Sequence, residues 1–150
     1  FAFMLGLALM ILIWLRHNFP AKADAEWIAQ GGGIFKKGVH PPAGKFNAGQ
    51  KLIFWAVIGV GVALSWTGIE MLFEGGVVPQ IEMQSTIFLH SILGIILVGV
   101  ILAHVYIGTI GMEGAFDAMG TGQVDLNWAK EHHSQWVEEV QGKKSGAAAE

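Results

Sequence analysis

Hydrophobic positions fall into three long runs, separated by two stretches of unlike character. Phe1–Leu15 carries no charge and stops at Arg16-His17-Asn18. Leu52–Phe73 is interrupted only by Gly59, Gly61, Ser65, Thr67 and Gly68, and by Glu70 near its end. The third run, about 86–110, contains His90 and His104. The last two runs reach the roughly 20 residues that a helix needs to cross a bilayer. In hydrocarbon a backbone has to satisfy its own hydrogen bonds, so these runs are predicted as helices. The pattern therefore predicts an all-α membrane protein with helices near 1–15, 52–73 and 86–110. Phe1–Leu15 is short for a span and has no basic leader of the kind a signal peptide carries. It is expected to be the second half of a helix that begins upstream.

The two connections set an orientation. Residues 16–51 hold Arg16, Lys22, Lys36, Lys37, Lys45 and Lys51, six of the nine Lys and Arg, against two acids, Asp24 and Glu26. Residues 74–85 hold no Lys or Arg. The positive-inside rule places 16–51 in the cytoplasm and 74–85 outside, and returns the C-terminal tail to the cytoplasm. Trp14 and Trp55 then stand at the cytoplasmic ends of their helices, where interfacial tryptophans collect. Residues 16–51 read as loop, with Gly31-Gly32-Gly33 and Pro41-Pro42. Residues 1–111 form the expected transmembrane region and 112–150 a cytoplasmic tail. That tail carries a surface helix near 125–140, with Trp128 and Trp136 on one face and His132 between them. Residues 142–150 read as a disordered end.

Composition strengthens this picture. The chain has 150 residues, 53% of them hydrophobic and 14% charged, and a mean hydropathy of +0.50. Soluble domains carry about 25% charge, and a small soluble fold has too little interior to hide this much apolar surface. A net charge of −3 without a basic tract argues against a nucleic-acid partner. There is no cysteine. That excludes disulfides, thiol nucleophiles, cysteine-held iron–sulfur clusters and the C-x-x-C-H haem attachment. Metal ligation falls to histidine or carboxylate.

His90 and His104 lie within one predicted span, where an ionisable side chain is a functional candidate by default. The plain alternative is a His hydrogen-bonded to a neighbouring helix. Fourteen residues at 100° each end about 40° short of four turns, so both imidazoles share a face, separated by roughly 21 Å along the axis. That spacing suits two stacked haems, each ligated by one imidazole from this helix. Gly94 and Gly108 each follow a histidine by four residues, which would let a flat macrocycle approach the backbone. Glycine is also common in membrane helices for close packing alone. A b-type haem in electron transfer usually takes two axial ligands. His17, His40, His132 and His133 lie at a helix end, in a loop or in the tail, and none is placed to face His90. The second ligands are expected from upstream of Phe1 or from another subunit.

Several smaller features have plain readings. Asn47 reads as a helix N-cap, with Gln50 at N3 completing a capping box. His132 and His133 point about 100° apart on a helix and do not converge on one ion. They read as a solvated or subunit-facing pair. Glu70, Glu74 and Glu82 read as a solvated outer rim, with contact to a partner domain as the alternative. His17 and His40 read as interfacial loop residues, with proton delivery as a secondary role.

The order and spacing of several segments resemble the gamma subunits of respiratory formate dehydrogenases, which are di-haem cytochromes b. The segments are Arg16-His17-Asn18-Phe19-Pro20, Lys45-Phe46-Asn47-Ala48-Gly49-Gln50-Lys51, the His90/His104 helix and Trp128-Ala129-Lys130-Glu131-His132-His133. The resemblance implies a transmembrane four-helix bundle in the bacterial inner membrane, of which this chain lacks helix one and the start of helix two. It implies His90 and His104 as axial ligands of two b-type haems, each paired with a histidine from the lacking helices. It also implies a quinone site at Asn47, Gly49 and Gln50, with His104 close by. Electrons would come from an iron–sulfur subunit fed by a catalytic formate dehydrogenase subunit and leave to the quinone pool. Formate itself would not be oxidised on this chain. The resemblance leaves open whether the complex forms a higher oligomer. Two other functions compete. One is the cytochrome b subunit of a related enzyme such as a membrane hydrogenase. The other is a haem-free anchor or proton-conducting protein, in which the two histidines are structural or relay residues.

Overall fold

A computed structural model describes residues 1–33, 39–73 and 83–147, with side chains described to residue 142. Its helices in chain order are α1 (Ala2–Trp14), α2 (Lys22–Ala29), α3 (Ala48–Leu72), α4 (Met83–Tyr106), α5 (Asp117–Gly120), α6 (Leu126–His132) and α7 (Ser134–Ala147). A π-helical stretch, Ile107–Gly111, continues α4. No strand occurs among the described residues. The residues group into two compact units, one made of 1–15 and 53–107, the other of 16–52 and 108–150. The loop and the tail, far apart in sequence, thus belong to one unit.

In the first unit, α3 and the α4 stretch through Gly111 are long and apolar enough to cross a membrane. They pair along a narrow stripe. On α4, Thr86 is buried and His90, Leu93, Gly94, Leu97 and Val100 are half-buried, a spacing of three to four residues that marks one helix face. On the part of α3 in this unit the buried positions are Phe54, Gly61, Thr67 and Glu70. Helix α1 crosses α3 at Gly61, where an added Cβ would stand 3.1 Å from Leu7 Cδ1. The missing side chain is what lets the two helices approach. Hydroxyls within the spans satisfy themselves: Ser65 Oγ donates to Gly61 O at 2.9 Å and Ser91 Oγ to Ile87 O at 2.8 Å, as a helix in lipid requires. The outer faces stay apolar and exposed, through residues such as Ile95, Val98 and Leu102. A soluble protein does not present a patch of this size.

The second unit departs from the sequence-based expectation in three places. Residues 16–51 contain the helix α2, with Asp24 at N3 accepting a 2.6 Å hydrogen bond from the Ala21 N–H. The single helix expected near 125–140 is two helices, broken at His133, whose backbone lies at φ −141° and ψ 47°. The break is held from outside, because His133 Nδ1 bonds to Gly44 O at 2.8 Å and the Gln135 N–H to Ala43 O at 3.2 Å. Helix α7 runs on to Ala147, into the segment expected to be disordered. Ordinary capping starts α6: Asp125 Oδ1 accepts from the Asn127 and Trp128 N–H groups at 2.8 and 3.0 Å. Gly114, at φ +79°, lies against Trp128, and a Cβ there would stand 2.9 Å from the indole. Both the backbone conformation and the contact demand glycine.

Candidate functional site

His90 and His104 both lie inside the regular part of α4, so the angular offset and the separation of roughly 21 Å follow from helix geometry. His90 is half-buried and His104 exposed. The His90 ring is held from α3. Thr67 Oγ1 stands 2.8 Å from His90 Nδ1, and the same hydroxyl reaches Ala63 O at 2.8 Å and Leu64 O at 3.2 Å. A hydroxyl has one proton. When Thr67 spends it on its own helix, the hydroxyl oxygen accepts from the Nδ1–H of His90. In that tautomer the Nε2 lone pair is the one that can bind a metal. Metal-ligating histidines usually donate their other N–H in this way. Gly68 borders the same ring, with an added Cβ at 3.5 Å from His90 Cε1.

Gly94 faces open space among the described residues, and an added Cβ at Gly108 would be 3.5 Å from Met119 Cε. These residues fit a histidine-ligated haem on the donor chemistry: one imidazole is held through Nδ1, which leaves Nε2 as its other donor atom, and a glycine lies one turn further along. The other four histidines, His17, His40, His132 and His133, belong to the second unit. None shares a unit with His90 or His104.

In the second unit the capping box forms as the sequence predicts. The Gln50 N–H donates to Asn47 Oδ1 and the Asn47 N–H to Gln50 Oε1, both at 2.9 Å. Gly49 lies beneath Trp27, with an added Cβ 2.9 Å from Trp27 Cη2. A protein side chain, which the sequence offered no signal for, thus occupies the space that this glycine opens. Lys51 Nζ bonds both oxygens of Asp24 at 2.9 and 2.8 Å, and the two side chains are 12% and 15% exposed. This ion pair fastens α2 to the first turn of α3. Removing one partner of a nearly buried pair leaves the other charge uncompensated and costs about 3–5 kcal/mol. Asp24→Ala is therefore expected to destabilise the unit by that amount. Asp24→Ala with Lys51→Met should recover much of it, because no orphan charge remains. Thermal unfolding of the solubilised protein checks this, and equal losses in the two variants would contradict it.

A recess in the same unit, of about 20 Å³ or room for one water, is lined among others by Trp27, His40, Asn47, Glu131 and His132. Burial is the main cause that lowers the His132 pKa from its ordinary value; Glu131 raises it, and His40 and His133 lower it further. The His17 pKa is also lowered, first by burial and then by Lys45 and Arg16. Arg16 Nε donates to His17 Nε2 at 3.2 Å, which requires a neutral ring.

Glu70 departs from the solvated rim expected of it. It is 4% exposed because it lies three residues after Thr67 on the face of α3 that turns away from solvent. Glu74 and Glu82 lie outside the described residues. Sequence reasoning missed Thr67, Trp27 and the Asp24–Lys51 pair. Thr67 had one available signal, a hydroxyl inside a membrane span, but hydroxyls there commonly bond only to their own helix.

A family model described as prokaryotic cytochrome b561 matches residues 1–122. Among curated relatives, the nitrate-inducible formate dehydrogenase cytochrome b556(Fdn) subunit of Escherichia coli K12 is 31% identical over 144 residues, covering 93% of this chain and 66% of the relative. The formate dehydrogenase cytochrome b556 subunit of Haemophilus influenzae is 34% identical over 134 residues, 87% of this chain and 56% of the relative. The cytochrome b556(fdo) subunit of Escherichia coli K12 is 30% identical over 135 residues, 88% and 63%. The chain thus spans about two thirds or less of the length of these relatives. With two apolar spans, no strand among the described residues and a family match over most of its length, the chain belongs to the prokaryotic cytochrome b561 family.

Proposed function

We propose that this chain is the membrane electron-transfer part of a formate:quinone oxidoreductase and holds two b-type haems through His90 and His104. The observation that carries this is the pair of histidines fourteen residues apart on α4, with His90 Nδ1 held by Thr67. The named relatives, cytochrome subunits of formate dehydrogenases, support it. When bound, a b-type haem supplies reversible one-electron transfer.

The chain's own residues do three things in this reading. Helix α4 keeps both ligating imidazoles on one face at a fixed separation of roughly 21 Å. Thr67 orients His90 and keeps its proton on Nδ1, while Gly94 and Gly108 keep side chains away from the two ligand positions. Asn47 offers its side-chain Nδ2 as a donor to a quinone carbonyl, at the end of α3 that the capping box and the Asp24–Lys51 pair stiffen. Gly49 and Gln50 complete that turn. Each haem would take its second ligand from a histidine other than these two, within a four-helix bundle in the bacterial inner membrane. Residues 16–51 and the C-terminal tail face the cytoplasm, and 74–85 the periplasm. An iron–sulfur subunit delivers the electrons, and a catalytic subunit oxidises formate.

The test is a reduced-minus-oxidised visible spectrum of the native membrane complex, with haem counted per copy of this chain. Two b-type haems are expected. A count of none would overturn the cytochrome assignment, and a count of one would overturn the pairing of His90 with His104.

A further inference from the structure

We propose that His40, Glu131 and His132 form a binding site for a divalent transition-metal ion of the zinc class, separate from any haem. The ligand atoms of the three side chains all lie within 4.8 Å of one another. His40 Nε2 and Glu131 Oε1 are 2.6 Å apart, and the His40 and His132 rings meet edge to face with centroids at 5.1 Å. Two imidazoles and one carboxylate are the donor set that zinc favours with an open fourth position, whereas calcium and magnesium want oxygen ligands. Ligands at about 2.0–2.1 Å from a tetrahedral ion stand about 3.4 Å apart. Reaching that distance takes a small opening of the His40–Glu131 pair, and the 4.8 Å bound keeps His132 within an ångström-scale shift of it. Glu131 is exposed and free enough to follow.

The fold brings the three residues together from distant parts of the chain. His40 precedes Pro41 and Pro42, and Pro41 is buried. Two hydrogen bonds, His133 Nδ1 to Gly44 O and the Gln135 N–H to Ala43 O, clamp this segment to the break between α6 and α7. Glu131 and His132 are the residues just before that break. The Trp128 ring backs His132 with centroids at 4.8 Å, limiting the poses of its imidazole. His132 and His133 do not converge on one ion. His40, ninety-two residues before His132, is the partner that supplies convergence.

The experiment is equilibrium dialysis of the chelator-stripped, detergent-solubilised complex, without a polyhistidine tag, against radioactive Zn²⁺ alone. Haem iron is counted in the same sample. One zinc per chain is expected at micromolar concentration. His40→Gln and His132→Gln should each weaken it by about 10–100-fold, the range that losing even an outer-shell partner produces, with haem content unchanged. His40 lies on an exposed loop, so His40→Gln remains informative if His132→Gln fails to fold. If wild type binds no more zinc than the His40→Gln variant, the trio is a hydrogen-bonded pair beside a stacked ring and the proposal is overturned. The haem reading stands or falls separately, on the iron count.

Discussion

With His90 and His104 each holding a haem as proposed, His104→Ala should remove one of the two and abolish quinone reduction, while formate oxidation with an artificial acceptor continues. The reason is positional. An alanine offers no lone pair to iron, and His90, the other histidine of the same unit, stands roughly 21 Å away along the helix, too far to replace the ligand. His90→Ala should remove the other haem and likewise break the path. Haem per chain and the amplitude of the reduced-minus-oxidised haem spectrum should each fall by half in either variant. The complex should still assemble, because His104 is exposed and its removal leaves no cavity in the α3–α4 stripe. If His104→Ala reduced quinone at the normal rate, the assignment of α4 as the electron path would be wrong.

Thr67→Val is expected to weaken the haem proposed at His90 without touching the one proposed at His104. Valine matches the shape of threonine but offers no hydroxyl to Nδ1 at 2.8 Å. The ring then loses the hydrogen bond that orients it. Losing an outer-shell partner of this kind costs about 10–100-fold in metal affinity or activity. Retained haem after dilution and the midpoint potential of each haem are the measurements. One haem should be lost faster and titrate at a shifted potential, while the other is unmoved. Thr67→Ser, which keeps the hydroxyl, should restore both properties. A valine variant with wild-type retention and potentials would show that Thr67 only packs against the ring.

The legible part of this protein is the part written in local periodicity. Two spans, their helical character and the shared face of His90 and His104 all follow from composition and a 3.6-residue repeat, because a helix in lipid is determined by its own sequence. The Asn47–Gln50 capping box follows for the same reason, since its partners lie three residues apart. The regions that read as featureless were those whose order is imposed from a distance. Helix α2 is fastened by Asp24 to Lys51, twenty-seven residues away, and the break at His133 is held by Gly44, eighty-nine residues away. A polar stretch rich in glycine and proline carries no periodic signal of such partners.

The sequence by itself determined that this is a helical membrane protein with two imidazoles on one face of one span, and its segments pointed to the cytochrome family that the comparisons bear out. Only the tertiary structure decided what holds those imidazoles. That His90 Nδ1 meets the Thr67 hydroxyl depends on how α4 packs on α3, and helix pairing is set by many weak side-chain contacts that no single segment specifies. It likewise decided that Glu70 is covered, that Trp27 lies on Gly49 and that His40 meets Glu131 and His132. Each depends on residues brought together across long stretches of chain, whose encounter is a property of the whole packed structure.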